Sequence, residues 1–206
     1  MSRLAEFAGV SGEIGELAAS YNVCPGDPIV NLQKWRGARR LETYTWGLVP
    51  HWSKDPSRKH INARAEGVAG SPPFRDAFVR GRSVILTDGF YEWDESKQPY
   101  YVRLKDRAPL ALAGICDRWV GDSQEIFSCA VITTTPNDRM AAVHNRMPAI
   151  LHPKHWDEWL DLNGANKERL RFLLRPYPPE ELELFPVSKA VSNPRNNASD
   201  LIRPLP

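Results

Sequence analysis

Phe127-Ser128-Cys129-Ala130-Val131-Ile132-Thr133-Thr134 is the stretch on which the fold turns. It is rich in β-branched and aromatic side chains and is followed by Pro136-Asn137-Asp138, a helix-start signal. Such a run reads as a strand. The same signature recurs at residues 40–48, 83–87, 90–93, 100–104 and 110–115, so the sequence predicts a mostly β core. Helical stretches are fewer, at residues 12–19, 73–79, 137–143, 153–160 and 167–174, and they should pack outside the sheet. Asp88-Gly89 between two apolar runs is a turn signal. The expected class is α+β: one mainly β domain, an antiparallel barrel-like or two-sheet core with peripheral helices.

Length and composition agree with one domain. The chain has 206 residues, 42% hydrophobic and 10% aromatic, enough apolar material for a real core. Its 27 Lys plus Arg nearly balance 25 Asp plus Glu, which excludes a histone-like, tail-driven nucleic-acid binder. There is no run of 18 apolar residues, and Arg3 and Glu6 interrupt any secretory core, so the expectation is a cytoplasmic protein without membrane contact. Cys24, Cys116 and Cys129 are an odd set with no close pair, unlike a disulfide framework or a zinc ribbon. Residues 192–206 are polar and proline-rich, which predicts a folded domain at 1–191 and an irregular tail at 192–206 that frays or lies along the body.

Several residues are suited to chemistry. In Asp88-Gly89-Phe90-Tyr91-Glu92-Trp93 a period of two places Glu92 on the same face as Phe90. An inward face would desolvate the carboxyl, raise its pKa and make it a proton carrier; an outward face would leave a solvated strand residue. His144 precedes Asn145-Arg146-Met147-Pro148 in a turn, where an imidazole either faces a cleft for acid–base work or sits at a helix end. The other histidines, His51, His60, His152 and His155, lack paired metal-ligand spacing, so no metal is expected. Asn62 and Arg64 of Ile61-Asn62-Ala63-Arg64-Ala65-Glu66 point the same way if extended, an amide to orient a sugar and a guanidinium to clamp a phosphate, or else a plain surface loop. In Trp46-Gly47-Leu48-Val49-Pro50-His51-Trp52, Trp46 suits a β core. Trp52, near Arg58-Lys59-His60, suits stacking on single-stranded nucleic acid.

Taken in order, Tyr21-Asn22-Val23-Cys24-Pro25-Gly26, Trp46-Gly47-Leu48-Val49-Pro50, the Asn62 and Glu92 segments, Ala113-Gly114-Ile115 and His144-Asn145-Arg146-Met147-Pro148 form a series. The series resembles the SRAP family, the SOS response-associated peptidase domain of YedK/HMCES-like proteins, from about Arg3 through Val187-Ser188. The resemblance implies a DNA-damage-response protein that binds single-stranded DNA and cross-links covalently to abasic sites through its N-terminus. Autoproteolytic peptidase-like or lyase activity accompanies this, and no cofactor, membrane or obligate protein partner is implied.

By that resemblance the catalytic set is Asn62, Glu92 and His144, with the N-terminal amine. Arg3, Asn22, Trp52, Arg64 and Arg146 fall with the DNA contacts. The family opens Cys-Gly-Arg, whereas this sequence reads Met1-Ser2-Arg3. A one-residue gap puts Ser2 at the nucleophile position; an ungapped match puts Met1 there and Ser2 at the glycine. Without a thiol beside the amine, the expected adduct is less durable. Two other readings stand: a DNA-binding module without covalent chemistry, and a thiol peptidase using Cys24 with His144.

Overall fold

A computed structural model describes residues 3–10, 18–164 and 166–206. Ser2 and most of the predicted helix at 12–19 lie outside the described residues. The element order opens with α1 (Arg3–Ala8), β1 (Pro28–Trp35), β2 (Ala38–Trp46), β3 (Asn62–Arg64), α2 (Arg75–Arg80), β4 (Arg82–Thr87) and β5 (Phe90–Trp93). It continues with β6 (Pro99–Leu104), β7 (Leu110–Val120), β8 (Glu125–Thr134), β9 (Met147–Pro148), α3 (Trp156–Leu160), α4 (Lys167–Leu173) and β10 (Leu182–Pro186). The protein is mainly β, as the runs of branched residues predict.

Five strands close a barrel in the order β2-β1-β4-β7-β8, with β8 returning to β2. Each successive pair is antiparallel, so with an odd number of strands the first and last run the same way, and the closing pair must be parallel. The seam is indeed parallel, Thr45 beside Ser128 and Trp46 beside Cys129. The other four joins of the barrel are antiparallel, in keeping with the barrel-like core and second sheet expected from sequence. Beyond the seam β3 takes over the same edge of β8, and β9 pairs on β8 opposite Thr133 and Thr134. A second, smaller sheet has the order β10-β6-β5. Asp88-Gly89 therefore does not make a hairpin: it carries the chain from the barrel to the second sheet.

Alternate residues along the barrel strands enter two apolar cores. Val84, Ala113, Ile115, Ala130 and Ile132 join the helices through Phe78, Trp156, Trp159 and Leu170. Ile85, Leu112, Cys116, Cys129 and Val131 join the second sheet through Val102 and Leu182. Both faces are dry, which is why these strands read as continuous apolar runs without alternation. The helices are stapled by Arg82, buried at the start of β4, whose guanidinium donates to the carbonyls of Phe78 and Trp159 at 2.7 Å each and to that of Asp161. These groups end α2 and α3, where helix carbonyls lack partners of their own.

The predicted helix at 137–143 contracts to a single 3-10 turn at Met140–Ala142. The Asn137 side chain explains the contraction: its oxygen takes the Met140 N–H at 2.9 Å while its amide donates to the Tyr177 carbonyl, fixing one turn before the chain returns as β9. Sequence reading missed β1, β3, β9, β10 and α1. Asn31 interrupts β1 with a polar group that only the fold satisfies, through the Ser83 hydroxyl at 2.9 Å. Residues 192–206 run along the second sheet, with Leu201 buried and the Leu205 N–H on the Pro186 carbonyl. No helix among the described residues is long and apolar enough to cross a membrane.

Candidate active site

The site gathers where the ends of β3, β8 and β9 meet the edge strand β5. On β5 the sequence alternation holds: Tyr91 packs on Tyr101 and Trp93 on one face, while Phe90 joins the barrel core on the other. Glu92 shares the Phe90 face and is half-buried. Its carboxylate lies 3.7 Å from Nδ1 of His144. Burial pushes the Glu92 carboxyl above the usual carboxylate range, and the imidazole beside it offsets part of that rise. Of the two readings open in the sequence, the inward one is what the fold adopts.

His144 is placed by the turn that Asn137 organises. Its N–H and that of Val143 both close on the Met140 carbonyl at 2.9 Å, and the ring then emerges with 42% of its side chain exposed. Nδ1 also lies 3.2 Å from the backbone nitrogen and oxygen of Arg146. Nδ1 thus has a backbone donor and two acceptors, the Arg146 carbonyl and the Glu92 carboxylate, within reach. The imidazole borders an open cavity of about 590 Å³ lined also by Trp93, Glu95, Ser96 and Asn145.

Arg146 links this pair to β3. Its side chain crosses the end of β8, donates to the Thr133 carbonyl at 2.6 Å and forms a two-pronged contact with Glu66 at 2.7 and 3.0 Å. The guanidinium holds the Glu66 carboxyl below its ordinary range. Arg146 Nε is buried without a hydrogen-bond partner. β3 is extended, and Ala63 points into the core, so Asn62 and Arg64 share the exposed face. Arg64 is paired in register with Thr133, the residue that receives Arg146. Asn62 lies two residues before Arg64 on the same strand, in register with Val131.

Other residues singled out in the sequence are placed differently. Trp52 is half exposed, on a turn after β2. Asn22 is 7% exposed, and its amide donates to the carbonyls of Val191, Asn193 and Asn196 at 3.0–3.2 Å. Its amide donors hold the C-terminal segment in place. Cys24 donates to the Asn22 carbonyl, and burial with the nearby Asp27 pushes its thiol up, opposite to what a thiol nucleophile requires. Ser2 and the Arg3 side chain are outside the described residues. Among the described residues no group of three His, Cys, Asp or Glu is placed to hold a metal ion. Thr133, the acceptor of Arg146, carries no signal in the sequence, and Glu66, in the turn after β3, takes Arg146 from 80 positions away.

Residues 2–194 match the family described as SOS response associated peptidase. The abasic site processing protein YoaM of Bacillus subtilis is 38% identical over 195 residues, covering 91% of this chain and 86% of that protein. The abasic site processing protein YedK of Escherichia coli is 29% identical over 189 residues, covering 90% and 84%. A crystal structure of a protein from Bacteroides thetaiotaomicron superposes with a TM-score of 0.76 at 25% identity, covering 85% of this chain and 80% of that one.

Proposed function

The chain belongs to the SOS response associated peptidase family, and from that membership and its site geometry we propose that it processes abasic sites in single-stranded DNA through a covalent adduct. The names of YoaM and YedK as abasic site processing proteins support the substrate class. The observation that carries the chemistry is the Glu92–His144 pair: a half-buried carboxyl with a raised pKa beside an exposed imidazole at the edge of an open cavity.

An abasic sugar opens to an aldehyde. The α-amine at the start of the mature chain attacks that carbon, loses a proton, and expels water to give a Schiff base; an α-amine is partly unprotonated near neutral pH. Glu92 accepts the amine proton and returns it to the departing hydroxyl. His144 acts at the sugar ring oxygen during opening, or at the proton α to the imine if the strand is cleaved by elimination. Asn62 orients the sugar, and Arg64 and Arg146 meet backbone phosphates. Should Ser2 open the mature chain, its hydroxyl can close only an oxazolidine, and the adduct turns over by hydrolysis or elimination; autoproteolytic activity would use the same groups.

Borohydride reduces a Schiff base to a stable amine, so incubation with an abasic single-stranded oligonucleotide should yield a trapped complex whose mass is the sum of the two less one water and plus two hydrogens. A chain that binds the oligonucleotide tightly yet leaves no reduced adduct is the non-covalent binding module instead.

A further inference from the structure

Trp52 occupies a β-turn whose two neighbours are both held by β7. The Ser53 N–H bonds to the Pro50 carbonyl at 2.8 Å, so His51 and Trp52 are the two corner residues. Before the indole, Asp117 Oδ2 accepts the His51 backbone N–H at 2.8 Å and lies 3.0 Å from its Nδ1. After it, the Trp119 indole N–H donates to the Ser53 carbonyl at 2.7 Å. The start of the turn is tied too, the Val49 N–H bonding the buried Ser128 hydroxyl at 2.9 Å.

These anchors come from a specialised part of β7. The strand is buried from Leu110 to Cys116 and then alternates, with Asp117 and Trp119 half-buried against the turn while Arg118 and Val120 face out. The end of β7 thus projects past the core as a bracket. Gly121 belongs to it: a Cβ there would stand 2.3 Å from Trp119 Cη2, so the indole reaches Ser53 only because residue 121 has no side chain. The turn spends these side-chain hydrogen bonds to leave one large apolar ring half in water. A protein interior gains nothing from that arrangement, whereas a stacking platform does, because an immobilised ring has little conformational entropy left to lose when a base lands on it.

We propose that Asp117 and Trp119 are positioning residues that brace Trp52 as a rigid stacking platform for a base of the bound strand. This rests on the reading of the protein as a single-stranded DNA binder, and the experiment separates the two. Affinity for an abasic single-stranded oligonucleotide is measured by fluorescence anisotropy for Trp52→Ala, Asp117→Ala, Asp117→Asn, Trp119→Phe, Gly121→Ala and the Trp52→Ala/Asp117→Ala double variant, each checked for folding by thermal melt.

Trp52→Ala should weaken binding about tenfold or more. Asp117→Ala, Trp119→Phe and Gly121→Ala should each show part of that loss, and Asp117→Asn, which keeps an acceptor for the His51 N–H, should bind as the unaltered protein does. The double variant should bind no worse than Trp52→Ala alone. Fully additive losses in the double variant, or silent Asp117 and Trp119 variants beside a defective Trp52→Ala, overturn the brace and leave the DNA reading intact. An unaffected Trp52→Ala overturns Trp52 as a base contact and the purpose of the brace with it.

Discussion

Nδ1 of His144 lies between the Glu92 carboxylate at 3.7 Å and the Arg146 backbone nitrogen at 3.2 Å. One ring nitrogen thus ties the edge of the second sheet to the end of the barrel. The imidazole offsets part of the rise that burial imposes on the Glu92 carboxyl.

That coupling fixes the sign of a pH effect. Burial raises the Glu92 carboxyl, so its basic form is lost, as pH falls, at a higher pH than for an ordinary glutamate. The rate of borohydride-trapped adduct should therefore show an acid limb above the usual carboxylate range. Glu92→Gln should lower the rate by about 10²–10⁴-fold and remove the carboxyl's limb, leaving the one set by the α-amine. His144→Ala removes the group that holds the carboxyl down, so its limb should move to higher pH; an unmoved limb would show that the two groups do not communicate.

Arg64 and Arg146 should act through charge and Trp52 through stacking, and salt distinguishes them. Replacing either arginine by Ala should reduce the slope of log affinity against log salt by about one. Trp52→Ala should lower affinity by about 1–3 kcal/mol at every salt concentration, leaving the slope alone. Equal slopes in all three variants would remove the arginines from the phosphate path.

Asn22 discriminates a clamp from a DNA contact. Asn22→Ala leaves the carbonyls of Val191, Asn193 and Asn196 without their donor, which should cost about 1–3 kcal/mol in urea unfolding and expose the segment near residue 193 to proteolysis. The salt dependence of DNA binding should not change. A loss of salt slope with unaltered stability would place Asn22 among the DNA contacts.

Arg82 is a buried cation with a structural role. Arg82→Ala deprives three carbonyls at the ends of α2 and α3 of their donor and should destabilise the fold by about 3 kcal/mol or more. Adduct formation per folded molecule, measured well below the lowered melting temperature, should match that of the unaltered protein.

The sequence by itself determined the strand-rich class, because Phe127-to-Thr134 and its counterparts carry branched side chains whose preference is local, and it determined the family, because ordered motifs survive without coordinates. It also named Asn62, Glu92 and His144, yet left open which way Glu92 faces. Only the tertiary structure decided that, since desolvation of a carboxyl depends on what packs over it, here Phe90, the barrel core and an imidazole 52 positions later in the chain. The parallel seam, the spent donors of Asn22 and the bracket around Trp52 belong to the same category: each joins residues far apart in sequence, and no local preference encodes which distant carbonyl or carboxylate a side chain will meet.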